Sequence, residues 1–318
     1  NRNWKEFPTI KFQYLILNKA IKLFELRDLL ELERNRIERV VCSGWDSPVY
    51  YYALLFCKKN KIRFTLWSGS TQYEISWRRK LFSPLVNWII RNSTDYIAYG
   101  TRAKEYLISL GADQKKIKIF LNSVDVDFFM KSAAKVKKIR SSLRIKHNIS
   151  STDFLFLYVG QLIDRKGIKE LVRAFIKYTE IKDNIKLLIV GDGPLKRDLQ
   201  NIVISYNCKN IIFTGFIQYQ KLPEIYAISD ALILPSKEEV WGLVVNEALA
   251  SGIPAVVSHF AGCSVDLITK DTGMTMQKIT REDIIRTLDR FLQKKYLVPE
   301  TIIDKMRNAK YAYENFKQ

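Results

Sequence analysis

Histidine, cysteine and long apolar stretches are all scarce in this 318-residue chain, and each scarcity closes off a class of function. The two histidines are His147 and His259, and the four cysteines stand at 42, 57, 208 and 263, so no CxxC pair and no zinc-type spacing exists. No metal or other cofactor is expected, and the cysteines read as buried, reduced thiols of a cytosolic protein. The longest uninterrupted apolar run, 49–57, has nine residues, less than half of what a bilayer-spanning helix needs. Thirteen glycines exclude collagen-like and low-complexity designs, while 47% hydrophobic and 12% aromatic residues exclude a disordered chain. Acidic residues are short too: 33 against 52 Lys plus Arg, a formal net charge of +19. That deficit is uneven. Residues 1–150 carry 29 basic and 13 acidic side chains, a surplus of 16, whereas 151–318 carry 23 and 20, a surplus of 3.

What the chain does have is alternation. The runs 154–159, 186–190, 211–214, 231–234 and 255–258 are short and apolar, bounded by Gly, Pro, Asp or Ser, as buried parallel strands tend to be. Helix-length segments at 168–180, 195–206, 220–228 and 243–250 lie between them, which predicts a doubly wound α/β domain over 153–298. A first domain, 1–130, repeats the theme with strands at 39–43, 62–67, 96–99 and 118–120 and a helix at 48–59. It shows no opening strand with a Gly-rich turn, so one or two initial β-α units are expected to be missing. Residues 131–152 are basic and without strand pattern, and read as an interdomain linker. Residues 299–318 are expected to form a C-terminal helix packing back on the first domain.

In such sheets ligands bind beyond the carboxyl ends of the strands. The first such loop, 160–167 (GQLIDRKG), offers close backbone approach at Gly160, two cations, Arg165 and Lys166, and a helix start, which suits a diphosphate. Gly191 and Gly193 flank an acidic residue in the next loop and make a tight strand-to-helix turn. After the strand 231–234 come Glu239, in a loop, and Glu247, on a helix opening near Gly242. Carboxylates there can accept hydrogen bonds from sugar hydroxyls, and the amides of Gly242, Leu243 and Val244 stand at the helix start. Asp125 and Asp127 form a D-x-D at the domain junction, a metal motif in other nucleotide enzymes, and are not assigned a metal here.

In this order the blocks over 154–268 resemble the donor-binding domain of glycosyltransferase family 4. The resemblance rests on VG at 159–160 with RKG at 165–167, VGDGP at 190–194, FTGF at 213–216, Ile225 and Tyr226 leading to Ser229, Asp230 and Ala231, Glu239 to Glu247 and SGIP at 251–254. Asn122, Ser123, Val124 and Asp125 with Phe128 resemble the segment closing the N-terminal domain of that family. The resemblance implies a GT-B fold, α/β, with two Rossmann-like domains facing each other across a cleft, and a retaining, metal-independent hexosyl transfer from a UDP- or GDP-sugar. It implies Lys166 on the diphosphate, Glu247 on the ribose, Glu239 on the transferred sugar, and the amides of Gly242, Leu243 and Val244 near its phosphate. It places Gly191, Gly193 and Ile217 by the base, and makes Glu239 and Lys166 the catalytic pair. Two positions depart from the family: Gln161 stands where many members carry Arg, and the segment 65–70 lacks their histidine, which leaves Ser68, Ser70 and Thr71 as acceptor-side candidates.

The basic first half raises the question of a large anionic partner. Trp77, Arg78, Arg79, Lys80 and Trp88 lie on a stretch with apolar residues at 77, 81, 85, 88 and 89, which reads as a membrane-interface surface. No RNA- or DNA-binding motif is present, so nucleic acid is not an expected partner. The expectation is therefore a cytoplasmic enzyme, peripheral on the inner face of an anionic membrane, acting on a lipid-linked or glycan acceptor in polysaccharide or glycolipid biosynthesis. A sugar-nucleotide epimerase of the same fold and a basic nucleic-acid binder are the alternatives.

Overall fold

The computed structural model describes residue 30, residues 36–74 and residues 82–312. The chain divides into two compact units, 1–120 and 121–318.

The first unit is a parallel sheet in the order β1 (Arg39–Ser43), β2 (Arg63–Ser68), β3 (Asp95–Ala98), β4 (Ile117–Ile119), with α1 (Pro48–Asn60), α2 (Ser83–Asn92) and α3 (Thr101–Ser109) as its connections. The sequence dictates where α1 starts. Ser47 accepts the Val49 amide at 3.4 Å, and Pro48 occupies the first helical position, where a missing N–H costs no helical bond. Leu54, Phe64, Leu66, Ile89, Ile90 and Leu107 fill the core. Burial pushes the thiols of Cys42 and Cys57 up to about 12 and about 11, so both stay protonated at neutral pH. The amphipathic stretch expected from residue 77 is described from Phe82 onward. The helix α2 begins at Ser83 with Pro84 in its first turn; it buries Val86, Ile89 and Ile90 and leaves Phe82, Leu85 and Trp88 exposed. Proline tolerates a first turn and nothing later, so here it opens a helix. Trp77, Arg78, Arg79 and Lys80 lie outside the described residues, as does the start of the N-terminal domain.

The second unit opens with α4 (Val126–Lys137) and α5 (Arg140–Lys146). It continues with β5 (Phe154–Val159), α6 (Ile168–Thr179), β6 (Ile185–Val190), α7 (Lys196–Ser205), β7 (Ile211–Gly215), α8 (Leu222–Ile228) and β8 (Ala231–Leu234). Then follow α9 (Leu243–Ala250), β9 (Ala255–Ser258), α10 (Ser264–Leu267), β10 (Gly273–Met276), α11 (Arg281–Leu292) and α12 (Glu300–Ala312). All six strands are parallel, in the order β10-β9-β8-β5-β6-β7, over a core that includes Phe156, Tyr158, Phe175, Ile189 and Phe291. The five expected strands are present; β10 is an addition, too weakly apolar to show as a run. From β5 the order proceeds to β6 and β7 on one side and to β8, β9 and β10 on the other. That reversal opens a crevice at the carboxyl ends of β5 and β8.

The boundary and the linker differ from expectation. The units divide after residue 120, and 131–146, read as linker, belongs to α4 and α5, which pack on α8 in the second unit. The reason is one aspartate. Asp230 receives Arg140 Nη2 at 2.6 Å, Arg144 Nη1 at 3.1 Å and the Leu155 amide at 2.7 Å. Arg144, 4% exposed, also donates to the carbonyls of Ser150 and Ile228 at 2.9 Å each, and to that of Asp153. A guanidinium's planar fork suits this many acceptors at once. In sequence, an arginine tied to an aspartate 86 residues away looks the same as one in solvent. The C-terminal helix α12 contacts α4 and α9, both inside the second unit, with Ser123 Oγ donating to Met306 O at 2.8 Å and Arg307 paired with Asp127 at 3.2 Å. Among the described residues no helix is long and apolar enough to cross a membrane.

Candidate active site

Three loops of the second unit interlock at the reversal point. The loop after β6 touches the loop after β5 so closely that a Cβ on Gly191 (φ +144°) would stand 1.8 Å from the Gly160 carbonyl oxygen. The loop after β8 does the same from the other side, where a Cβ on Gly167 (φ +66°) would stand 2.0 Å from the Pro235 carbonyl oxygen. Backbone in these positions cannot carry a side chain, which explains glycine at the end of β6 and at the start of α6. Lys237 N donates to Arg165 O at 2.9 Å and Gly191 N to Gly215 O at 2.9 Å, fixing the loops to one another.

Inside this frame Lys166 forms an ion pair with Glu239, both side chains largely buried. Ser236 Oγ lies 3.4 Å from the same carboxylate oxygen. The backbone of Glu239 is itself held: it bridges Ala261, and its carbonyl accepts the Gly262 amide at 3.1 Å. Burial, and next the Glu239 charge, pushes the Tyr158 phenol far up, so that it stays a neutral donor, to Gln161 O at 2.8 Å. Gly242 (φ +102°) stands directly before α9, with its Cα hydrogen face toward Glu239; a Cβ there would lie 3.6 Å from Glu239 Cγ. The Leu243 and Val244 amides lie in the first turn, where no carbonyl one turn back accepts them. Lys166, Glu239, Ser236 and the start of α9 are thus brought together as a cation, a carboxylate, a hydroxyl and a helix's positive end.

The other expected residues take different positions. Glu247, 1% exposed, is bonded to Tyr226, whose hydroxyl donates to its carboxylate at 2.7 Å. Arg165 is exposed, its carbonyl engaged by the loop after β8. Gly193 and Ile217 sit half-buried, beside Leu162 and after β7 respectively. In the first unit Ser68 ends β2, and Ser70 and Thr71 follow it and close on Glu74. Ser68 Oγ accepts the Ser70 amide at 3.2 Å, while Ser70 Oγ and the Thr71 amide reach the Glu74 carboxylate at 3.4 and 3.1 Å. Asp125 caps α4, accepting the Phe128 amide at 3.1 Å, and Asp127 holds Arg307, so both D-x-D carboxylates have structural partners. Sequence reasoning gave no role to Tyr226, Ser236, Glu74 or the buried Asn246. Asn246 accepts Trp241 Nε1 at 2.9 Å and donates to Asn122 O at 3.2 Å. The one signal was position: Asn246 adjoins Glu247, and Ser236 follows β8 by two residues.

The profile of the family Glycosyl transferases group 1 matches residues 139–314. An uncharacterized glycosyltransferase of Methanocaldococcus jannaschii is 27% identical over 229 residues, 70% of this chain and 57% of the relative. The sulfoquinovosyl transferase of Arabidopsis thaliana is 27% identical over 223 residues, 68% of this chain and 41% of its own. The α-monoglucosyldiacylglycerol synthase of Acholeplasma laidlawii is 26% identical over 190 residues, 59% and 47% respectively. The chain thus spans about half the length of these curated relatives. Among solved structures, a glycosyltransferase of Rickettsia africae superposes with a TM-score of 0.74 at 18% identity, covering 97% of this chain and 84% of that one. HepE of Anabaena in complex with UDP gives 0.71 at 15% identity, covering 89% and 76%. These likenesses show the fold, the GT-B architecture of two Rossmann-like units. Since the matched profile covers more than half of its residues, the chain belongs to the family Glycosyl transferases group 1.

Proposed function

We propose that the protein is a retaining, metal-independent glycosyltransferase of the family-4 type, which moves a hexose from a UDP-sugar to a lipid-linked or glycan acceptor. The observation that carries this reading is the Lys166–Glu239 pair at the strand-order reversal, framed by glycine loops and facing the start of α9. A donor's diphosphate takes Lys166 and the α9 amides, and Glu239, released from the lysine, turns to the sugar hydroxyls. The main task of such a site is to hold the charge that develops on the departing diphosphate, for which a cation and a helix start are already placed. UDP in the Anabaena structures, and UDP-glucose in one of them, supports the base. The diacylglycerol product named for the Acholeplasma relative supports a lipid acceptor, and with it a peripheral place on the cytoplasmic face of an anionic membrane.

Thermal melting with UDP, GDP and ADP tests the donor assignment. A ligand at a hundredfold excess over its Kd stabilises by about 2.7 kcal/mol, which raises Tm by about 5 °C or more in a unit of this size. UDP is expected to give that shift in buffer containing EDTA; a flat response to all three nucleotides refutes the assignment. Free UDP released only when acceptor is present marks transfer, whereas an epimerised free sugar marks the epimerase alternative.

Tyr226 is the positioning residue for Glu247. Its hydroxyl is the donor that fixes a buried carboxylate, and a hydrogen bond to a charged group contributes about 1.5–3 kcal/mol. Tyr226→Phe is expected to raise the donor KM about tenfold while kcat stays within about twofold. An equal fall in kcat, with KM unmoved, would remove Glu247 from donor binding.

A further inference from the structure

The compact units redistribute the charge. Residues 1–120 hold 22 basic and 11 acidic side chains and 121–318 hold 30 and 22, so the surpluses are 11 and 8, and the second unit is itself markedly basic. Its cations are concentrated. Between Asp127 and Asp153 there is no acidic residue, and in that interval stand Lys131, Lys135, Lys137, Lys138, Arg140, Arg144 and Lys146. The two arginines are turned inward onto Asp230 and are absent from the outer face. All five lysines are exposed, and none has an ion-pair partner among the described residues. Lys131 and Lys135 lie four residues apart on one stripe of α4, and Lys138, the helical-backbone residue at its C-cap, follows three residues later. Two isoleucines lie among them in open solvent, Ile139 at 54% and Ile145 at 73% exposure.

Lysines alone are a solvated face. Isoleucines left exposed among these lysines, Ile139 in the turn between α4 and α5 and Ile145 on α5, are another matter, because water gives nothing for that apolar area. A bilayer's interface satisfies both groups at once: the ammonium heads reach lipid phosphates and the branched side chains enter the boundary with the acyl chains. A nucleic acid satisfies only the first group; its readers carry arginine forks and stacking aromatics, and this face offers neither.

We propose that the exposed side chains of the α4–turn–α5 segment, Lys131, Lys135, Lys138, Lys146, Ile139 and Ile145, form a docking surface for an anionic phospholipid bilayer, carried by the donor-binding unit itself. The surface extends the membrane reading given above to a second place in the chain, and it does not depend on the segment around Trp88.

Flotation of the full chain with vesicles containing one-third phosphatidylglycerol tests it, phosphatidylcholine vesicles serving as the reference. The wild type is expected to float with the anionic vesicles at low salt and to be released at high salt. Lys131→Glu, Lys135→Glu and Lys138→Glu together are expected to weaken partitioning about 100-fold or more, since each lysine near an anionic leaflet contributes about fivefold. Ile139→Ser with Ile145→Ser is expected to weaken it too, and to leave a residue of binding that salt removes completely. Both variants are expected to keep the wild-type melting temperature and the UDP-induced shift, which separates loss of docking from loss of the donor site. Wild-type flotation by the triple variant overturns this surface, and if Trp88→Ala then loses flotation, the membrane reading stands with its contact in the first unit. No flotation by the wild type overturns both. Equal weakening on an RNA homopolymer, with vesicle binding intact, also overturns the proposal.

Discussion

Lys166→Ala is expected to lower kcat by about 10²–10³-fold at saturating donor, with the protein still folded. The size of the effect follows from charge and distance. A unit cation about 4 Å from a unit anion at an effective dielectric of about 20 interacts by about 4 kcal/mol, close to three decades in rate. Only the part that grows as the diphosphate departs lowers the barrier; the part already present with the bound donor appears in KM. Lys166 is well placed for both parts, because it is largely buried and held by Glu239 before any donor arrives. Lys166→Arg retains the charge but changes the geometry, and is expected to recover part of the rate. Steady-state kinetics with UDP release as the readout decide the matter. A kcat within about threefold of wild type in Lys166→Ala, against the range expected for a lost anion-stabilising donor, would sink the role assigned to this lysine.

Arg144→Ala carries the largest expected cost in stability, about 3–5 kcal/mol, the range for removing one partner of a buried ion pair. The guanidinium is 4% exposed and serves four acceptors: Asp230, Ser150, Ile228 and Asp153. Its loss takes this donor from the Ser150 and Asp153 carbonyls before β5 and leaves Asp230 with Arg140 and the Leu155 amide. In a unit of this size each kcal/mol shifts Tm by about 2–4 °C, so a fall of about 10 °C is expected by circular dichroism. Arg144→Lys keeps the charge without the fork and should restore only a fraction. A Tm within about 2 °C of wild type would show that α5 is held by other contacts.

Much of the second unit was legible because its strands are buried on both faces and therefore read as continuous apolar runs, five of which appear as strands. The loops that form the candidate site were legible for a related reason: glycine is required where backbones meet closely or φ turns positive, and Gly167, Gly191 and Gly242 mark those points. What stayed hidden depends on pairing across long separations. Tyr226 looks like one more apolar residue of a short helix until Glu247 is found 21 residues away. The arginines of 131–146 look like linker until Asp230 is seen, and Glu74 is one of many surface acids until Ser70 and Thr71 close on it. In the first unit Pro84, placed in the first turn of α2, sets where that helix opens.

The anchoring of α5 on Asp230 also sets where this protein can be cut and rejoined. A chimera that exchanges the donor half with a relative by joining at 131–152, where composition suggests a tether, would separate Arg140 and Arg144 from the aspartate they were selected with. The recipient would then inherit an uncompensated carboxylate under its central strands, and the graft would lack Asn122, the acceptor for Asn246. A junction at 120/121 keeps these partners in the same transplanted piece, so the interchangeable cassette is longer by the two helices that look least like part of it.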